Sequence, residues 1–188
     1  MQSAVPIGEG GMLAVLGAEI SEIKNLISEN SESIKCYIAN DNSNGQLIIS
    51  GKNIYLEKFA NVLKQKKIKR IKLPVSAPFH CELMRSATIK MKNLINNENF
   101  KYPNFKVVSN VTAEEYKDKE EIKELLIKQI ESPVRWRESV KYMIGNGTKT
   151  FVEIGPGKVL SGLIKRINKE VKVLNIEAVE DIEDIDLW

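Results

Sequence analysis

The order of apolar runs between residues 11 and 73 constrains this chain more than any other feature. GMLAVLG (11–17) is an apolar run of strand length. Behind it Ile20, Ile23, Leu26 and Ile27 recur at i, i+3, i+6 and i+7, the spacing of one helix face. KCYIAND (35–41) reads as a second strand, Asn42-Ser43-Asn44-Gly45 as a turn, and QLIISG (46–51) as the hairpin partner. A second amphipathic helix carries Tyr55, Phe59, Val62 and Leu63 on one face, and KRIKLPV (69–75) closes the unit as a strand. The predicted order is βαββαβ, a ferredoxin-like arrangement.

The pattern changes after residue 73. LPVSAPFH is a loop with two prolines, and Met84, Ala87, Met91, Leu94 and Ile95 mark a long helix. FKVVSNV (105–111) reads as a buried strand, followed by a helix through 120–130 and another from Trp136 to about Met143. TFVEI (150–154) is a strand, GPGK turns the chain into a helix with Val159, Leu160, Leu163, Ile164 and Ile167, and VKVLNI (171–176) is a last strand. Strands alternating with helices predict a parallel sheet covered on both faces. The whole reads as α/β: a linker over 1–10, the small unit over 11–73, an α/β part over 74–176, and a solvated acidic tail over 177–188 with six acidic residues and no basic one.

Composition excludes several functions. One histidine and two cysteines cannot make a Cys/His zinc site or a disulfide scaffold, so no metal is expected and a reducing compartment suits the chain. No apolar run approaches the ~20 residues that span a bilayer, and MQSAVPIGEGG lacks the pattern of a signal peptide. No membrane is implied, and the cytoplasm is the expected location. Ahead of the tail the chain holds 28 basic against 19 acidic residues, a balance that favours acidic partners. RNA-recognition modules share the βαββαβ order, but they stack bases on strand aromatics, and neither GMLAVLG nor QLIISG contains one; no nucleic acid is expected.

Four features could carry chemistry. His80 precedes a helix and could be a general base. Gln129 shares the apolar stripe of Ile122, Leu125, Leu126 and Ile130, so its amide needs partners, structural or functional. A nucleophile is missing: no GxSxG occurs, Ser76 lies in a proline-rich loop, and Cys81 adjoins His80 too closely in sequence to face it. Gly155-Pro156-Gly157-Lys158 precedes a helix N-terminus but lacks Walker A spacing, so a structural turn is the default. The cluster Lys64, Lys66, Lys67, Lys69 and Arg70 reads either as a solvated face or as a dock for an acidic partner.

Taken together, MQSAVPIGEGGMLAVLG, IANDNSNGQLIISG, LPVSAPFHCELM, VVSNVTA, QIESPVRW and VEIGPGKVLSGLIKRI resemble, in family order, the malonyl-CoA:acyl carrier protein transacylases. The resemblance runs from Met1 to about Asn168. It implies that the α/β part is the C-terminal portion of a hydrolase-like acyltransferase subdomain, and that malonyl-CoA and a phosphopantetheine-bearing acyl carrier protein are the substrates, with no bound cofactor. His80 would be the catalytic histidine and Gln129 the residue whose backbone carbonyl orients it. Phe79 would favour malonyl, Asn110 would line the pocket, and the Lys64–Arg70 cluster would dock the carrier.

The family's GHSxGE and GQGSQ segments, and the arginine that pairs with the malonyl carboxylate, have no match in this sequence. The resemblance places all three upstream of Met1, so a truncated or split enzyme is expected, its first residue inside a family helix. Loss of the nucleophile costs on the order of 10⁶ in turnover, so little activity is expected without a separate N-terminal half. The alternative is a remnant that binds the carrier without transferring acyl groups.

Overall fold

The computed structural model describes residues 4–6 and 8–183. Strands β1 (Gly10–Leu16), β2 (Cys36–Ser43), β3 (Gln46–Lys52) and β4 (Lys69–Lys72) form one antiparallel sheet in the order β2-β3-β1-β4. Helices α1 (Ile20–Glu29) and α2 (Asn53–Gln65) cover one face, where Leu13, Val15, Leu47 and Ile49 meet Ile23, Leu26, Leu56, Phe59 and Leu63. Met12, Ala14, Ala39 and Ile48 point the other way and pack against Leu73 and Phe79. Burial on both faces explains why these strands read as apolar runs rather than alternating ones. On α2, Leu56 is buried, whereas Tyr55 and Val62 of the expected stripe pack only at its margin. The turn is shorter than expected: Asn42 and Ser43 extend β2, Ser43 pairs with Gln46, and Gly45 turns the chain at φ +68°.

A 3₁₀ turn (Glu82–Met84) leads into α3 (Arg85–Asn97), which packs on α4 (Lys119–Gln129). Asp118 caps α4 by accepting from the Glu121 N–H at 2.7 Å, and the acidic first turn favours the same helix end. Helix α5 (Trp136–Gly145) and α6 (Val159–Ile167) enclose Val140, Phe151, Ile164 and Val171 beside the parallel pair β5 (Thr150–Ile154) and β6 (Lys172–Ile176). Two main-chain bonds fasten this half to the β2 edge, Val134 N–H to Ala39 O at 2.8 Å and Asp41 N–H to Val134 O at 2.9 Å.

Three expectations are corrected. Residues 105–111 form no strand: Val108 makes one isolated bridge with Glu115, and Phe105 is exposed, because among the described residues no strand runs alongside. Met91 and Leu94 on α3, and Val159 and Leu160 on α6, face solvent although they fit the helical stripes. The parallel sheet has two strands among the described residues rather than a broad two-faced array. The acidic tail is exposed over 177–180, as expected, and carries a short helix, α7 (Glu180–Glu183), whose Asp181 accepts from the Glu177 and Ala178 N–H groups; residues 184–188 lie outside the described residues. Of the 1–10 linker, residues 1–3 and 7 also lie outside them.

Candidate active site

Pro74 and Pro78 keep residues 73–81 out of regular structure, and the Leu73 N–H donates to Met12 O at 3.0 Å as the loop leaves the sheet. The loop then crosses the Met12/Ala14 face. Pro78 is fully buried, seated where β1 has no side chain: a Cβ at Gly10 would lie 2.4 Å from Pro78 Cδ. Two residues on, His80 takes φ +59°, in the left-handed region that a non-glycine residue enters only when its surroundings hold it.

The imidazole is half-buried, and its Nδ1 lies 3.0 Å from the main-chain carbonyl of Gln129, at the end of α4. A carbonyl only accepts, so Nδ1 carries the proton and donates. The neutral ring therefore presents Nε2 as an acceptor. The Gln129 side chain does not compete: its Nε2, itself a donor, stands 3.5 Å from Nδ1 and gives its hydrogen bond to Ser132 O at 2.9 Å. The amide on the apolar stripe thus satisfies itself locally while its peptide faces the histidine.

The loop separates two clefts. His80 lines one of about 410 Å³ together with Lys24, Cys36, Tyr37, Cys81 and Glu82. Phe79 lines the other, about 630 Å³, with Lys72, Pro74, Val75 and Ser76. Ser76 is therefore in the wrong cleft to serve His80, and among the described residues no hydroxyl bonds to the imidazole. Burial raises the Cys81 thiol, whose Sγ donates to Pro78 O at 3.1 Å, and pushes Cys36 up to about 12, so neither is a thiolate nucleophile at neutral pH. Tyr37 donates a hydrogen bond to Glu82 at the cleft; burial first, then that bond, raises the phenol. Sequence spacing gave no sign of this pair, which lies 45 residues apart.

The remaining candidates fall elsewhere. Asn110 is exposed in a turn and lines neither cleft; its carbonyl accepts from the Arg135 N–H at 2.9 Å. Lys64, Lys66, Lys67 and Lys69 are exposed, with Arg70 half-buried, where α2 ends and β4 forms the outer strand of the sheet. Charges on an edge strand also discourage pairing with another sheet. The helix end behind GPGK is already occupied by an anion. Glu153 accepts from Leu160 N at 3.0 Å and Ser161 N at 2.7 Å, and Asn175 adds a third donor. Burial alone would raise the Glu153 carboxyl, but these hydrogen bonds hold it below its ordinary value. Among the described residues no cluster of His, Cys, Asp or Glu could hold a metal. The buried Asp41 carboxylate instead takes a fork from Arg137, with Nε at 3.0 Å from both oxygens.

No family model matches the chain. The malonyl CoA-acyl carrier protein transacylase of Bacillus subtilis (strain 168) is 43% identical over 185 residues, which cover 97% of this chain and 58% of the relative. The crystal structure of the malonyl CoA-acyl carrier protein transacylase from Clostridium perfringens ATCC 13124 superposes with a TM-score of 0.94 at 42% identity, covering 98% of this chain and 58% of that one. A malonyl-transacylase solved in complex with its type II PKS acyl-carrier protein matches with a TM-score of 0.91 at 33% identity, over 97% of this chain and 59% of that one. The chain spans 58% to 60% of the length of the curated relatives it matches.

Proposed function

The chain belongs to the malonyl CoA-acyl carrier protein transacylase family, and we propose that it supplies the base for moving malonyl from malonyl-CoA to the phosphopantetheine thiol of an acyl carrier protein in fatty acid synthesis. The observation that carries the reading is the 3.0 Å contact between His80 Nδ1 and the Gln129 carbonyl, at the motif positions where the family's orienting pair falls. With Nδ1 committed as donor, Nε2 takes the proton of a serine hydroxyl as its oxygen bonds to the malonyl carbonyl carbon. The imidazolium then returns that proton to the departing CoA sulfur. In the second half Nε2 accepts the pantetheine thiol proton as sulfur attacks the acyl-serine, and the proton goes back to the serine oxygen.

The serine would come from a GHSxGE segment, which residues 1–188 do not contain. The reading therefore includes a second segment, covalent or separate, and predicts little transfer by residues 1–188 alone. Ile89, Leu94, Ile154 and Val159 are exposed apolar side chains, and two parallel strands make a small sheet on their own; both suit a fold that other strands and helices would complete. In this reading the β2-β3-β1-β4 unit is the ferredoxin-like small subdomain. Phe79 biases the acyl pocket towards malonyl, Asn110 borders it once the fold is completed, and the Lys64–Arg70 cluster meets the acidic carrier. The neighbour solved with its acyl-carrier protein supports that partner. No helix among the described residues is long and apolar enough to cross a membrane, which suits a cytoplasmic enzyme.

The test pairs the chain with a polypeptide carrying a family GHSxGE segment and follows malonyl transfer to holo-carrier protein by intact mass. Transfer should need both pieces and disappear with His80→Gln. Transfer that survives His80→Gln removes His80 from the chemistry. Salt-sensitive carrier binding without any transfer would favour the carrier-binding module instead.

A further inference from the structure

His80 must be kept in a backbone conformation that it would not choose alone. The 3.0 Å bond to Gln129 acts on the ring, through Nδ1, and cannot by itself fix the main chain. The hold on the main chain comes from the residues on either side. Cys81, almost fully buried, donates its thiol proton to Pro78 O at 3.1 Å, closing a ring of main chain around residue 80. Pro78 cannot retreat, since its ring lies against Gly10 with no room for a Cβ between them. On the far side the Cys81 carbonyl accepts from the Met84 N–H at 2.9 Å, which ties the ring to the turn that starts α3.

We propose that Cys81 is a positioning residue for His80: its thiol clips the 78–81 turn shut and so aims the imidazole at the Gln129 carbonyl. The thiol suits this place for a physical reason. It is small enough for a buried site, and burial keeps it protonated, so the donor persists at neutral pH. A residue that only filled space here would leave the histidine ring indifferent to the loss of the S–H group. The role deepens the proposed function by stating what readies the base, yet it is testable without any transfer reaction.

The sequence holds one histidine, so every imidazole ¹⁵N signal belongs to residue 80. In the wild-type chain the neutral ring should show Nδ1 protonated and slowly exchanging. Cys81→Ala should abolish the preference for that tautomer and speed Nδ1–H exchange roughly 5-fold, the loss corresponding to one modest hydrogen bond. Cys81→Ser, which keeps a donor, should restore the wild-type tautomer. Cys81→Val fills the site without a donor and replaces the alanine variant should that chain fail to fold. Wild-type tautomer and exchange in a folded Cys81→Ala or Cys81→Val chain would overturn the proposal, as would loss of the tautomer in a folded Cys81→Ser chain. Failure of malonyl transfer with all these signatures intact would bear on the catalytic reading alone.

Discussion

Replacing Arg137 by methionine tests the physical picture most directly. Its guanidinium and the Asp41 carboxylate have side-chain exposures of 15% and 3%, and the fork makes contacts at 3.0, 3.0 and 2.8 Å. Methionine keeps most of the stem's volume and removes the charge, leaving Asp41 buried without a counter-ion. Breaking one side of such a pair costs about 3–5 kcal/mol. At about 2–4 °C per kcal/mol for a chain of this size, the melting midpoint should fall by roughly 6–20 °C. Arg137→Lys restores charge without the fork and should recover part of the loss. The decisive variant is the double replacement Asp41→Leu with Arg137→Met. If the single variant suffers from an orphaned charge, removing both partners should return stability to within about 1 kcal/mol of the wild type or above it. Thermal and urea melts of the wild type, these three variants and the Asp41→Leu single variant, repeated at high salt, provide the measurement. A loss below about 1 kcal/mol in Arg137→Met, on the scale of exposed pairs, would refute the reasoning. A double variant as unstable as the sum of its singles would refute it too.

Three further outcomes are expected. Gly10→Ala should cost about 1–3 kcal/mol, since its Cβ would meet the Pro78 ring at 2.4 Å and that ring has nowhere to go; an unchanged urea midpoint would contradict the seating of the loop. Glu153 has a folded pKa below its ordinary value of 4.5, so its contribution is full above that value and fades as pH falls through the lowered one. Glu153→Gln should accordingly be less stable at neutral pH and lose less on acidification than the wild type. A wild type and variant with parallel melting-temperature profiles would argue against the α6 cap. Cys36, pushed up to about 12, should label with a thiol reagent only as fast as the sheet opens, so free-thiol rates in the native chain would contradict its burial.

Much of the fold was legible because its signals are local. Ile23 and Leu26 announce a buried face through helical spacing, GMLAVLG announces a strand as an apolar run, and the turn at Gly45 needs only two residues. Residues 105–111 show where that stops: a run such as FKVVSNV is a strand only beside another strand, and periodicity cannot supply the neighbour. Met91 and Leu94 show the same limit, because a stripe says that a face is apolar and not what covers it. At the site, the apolar stripe of α4 drew attention to Gln129 for its amide, whereas the structure uses its carbonyl, which every residue type possesses. Only the family resemblance pointed to that peptide. The Asp41–Arg137 fork spans 96 residues of sequence and left no local trace.

The fastening of residues 133–137 to the β2 edge bears on how the site could respond to motion. Pro78, which seats the histidine loop, is registered on β1; Val134, five residues past the Gln129 carbonyl, is registered on β2. Donor and acceptor of the 3.0 Å bond thus share one datum, the small sheet, although they come from distant parts of the chain. A rocking of that sheet against anything that packs on the exposed faces of α3 or β5 would carry the imidazole and its acceptor together. Such a movement changes what Nε2 can reach without changing how the ring is held. On the proposed reading, His80 would then behave as a tool clamped in a jig, with its alignment set in advance.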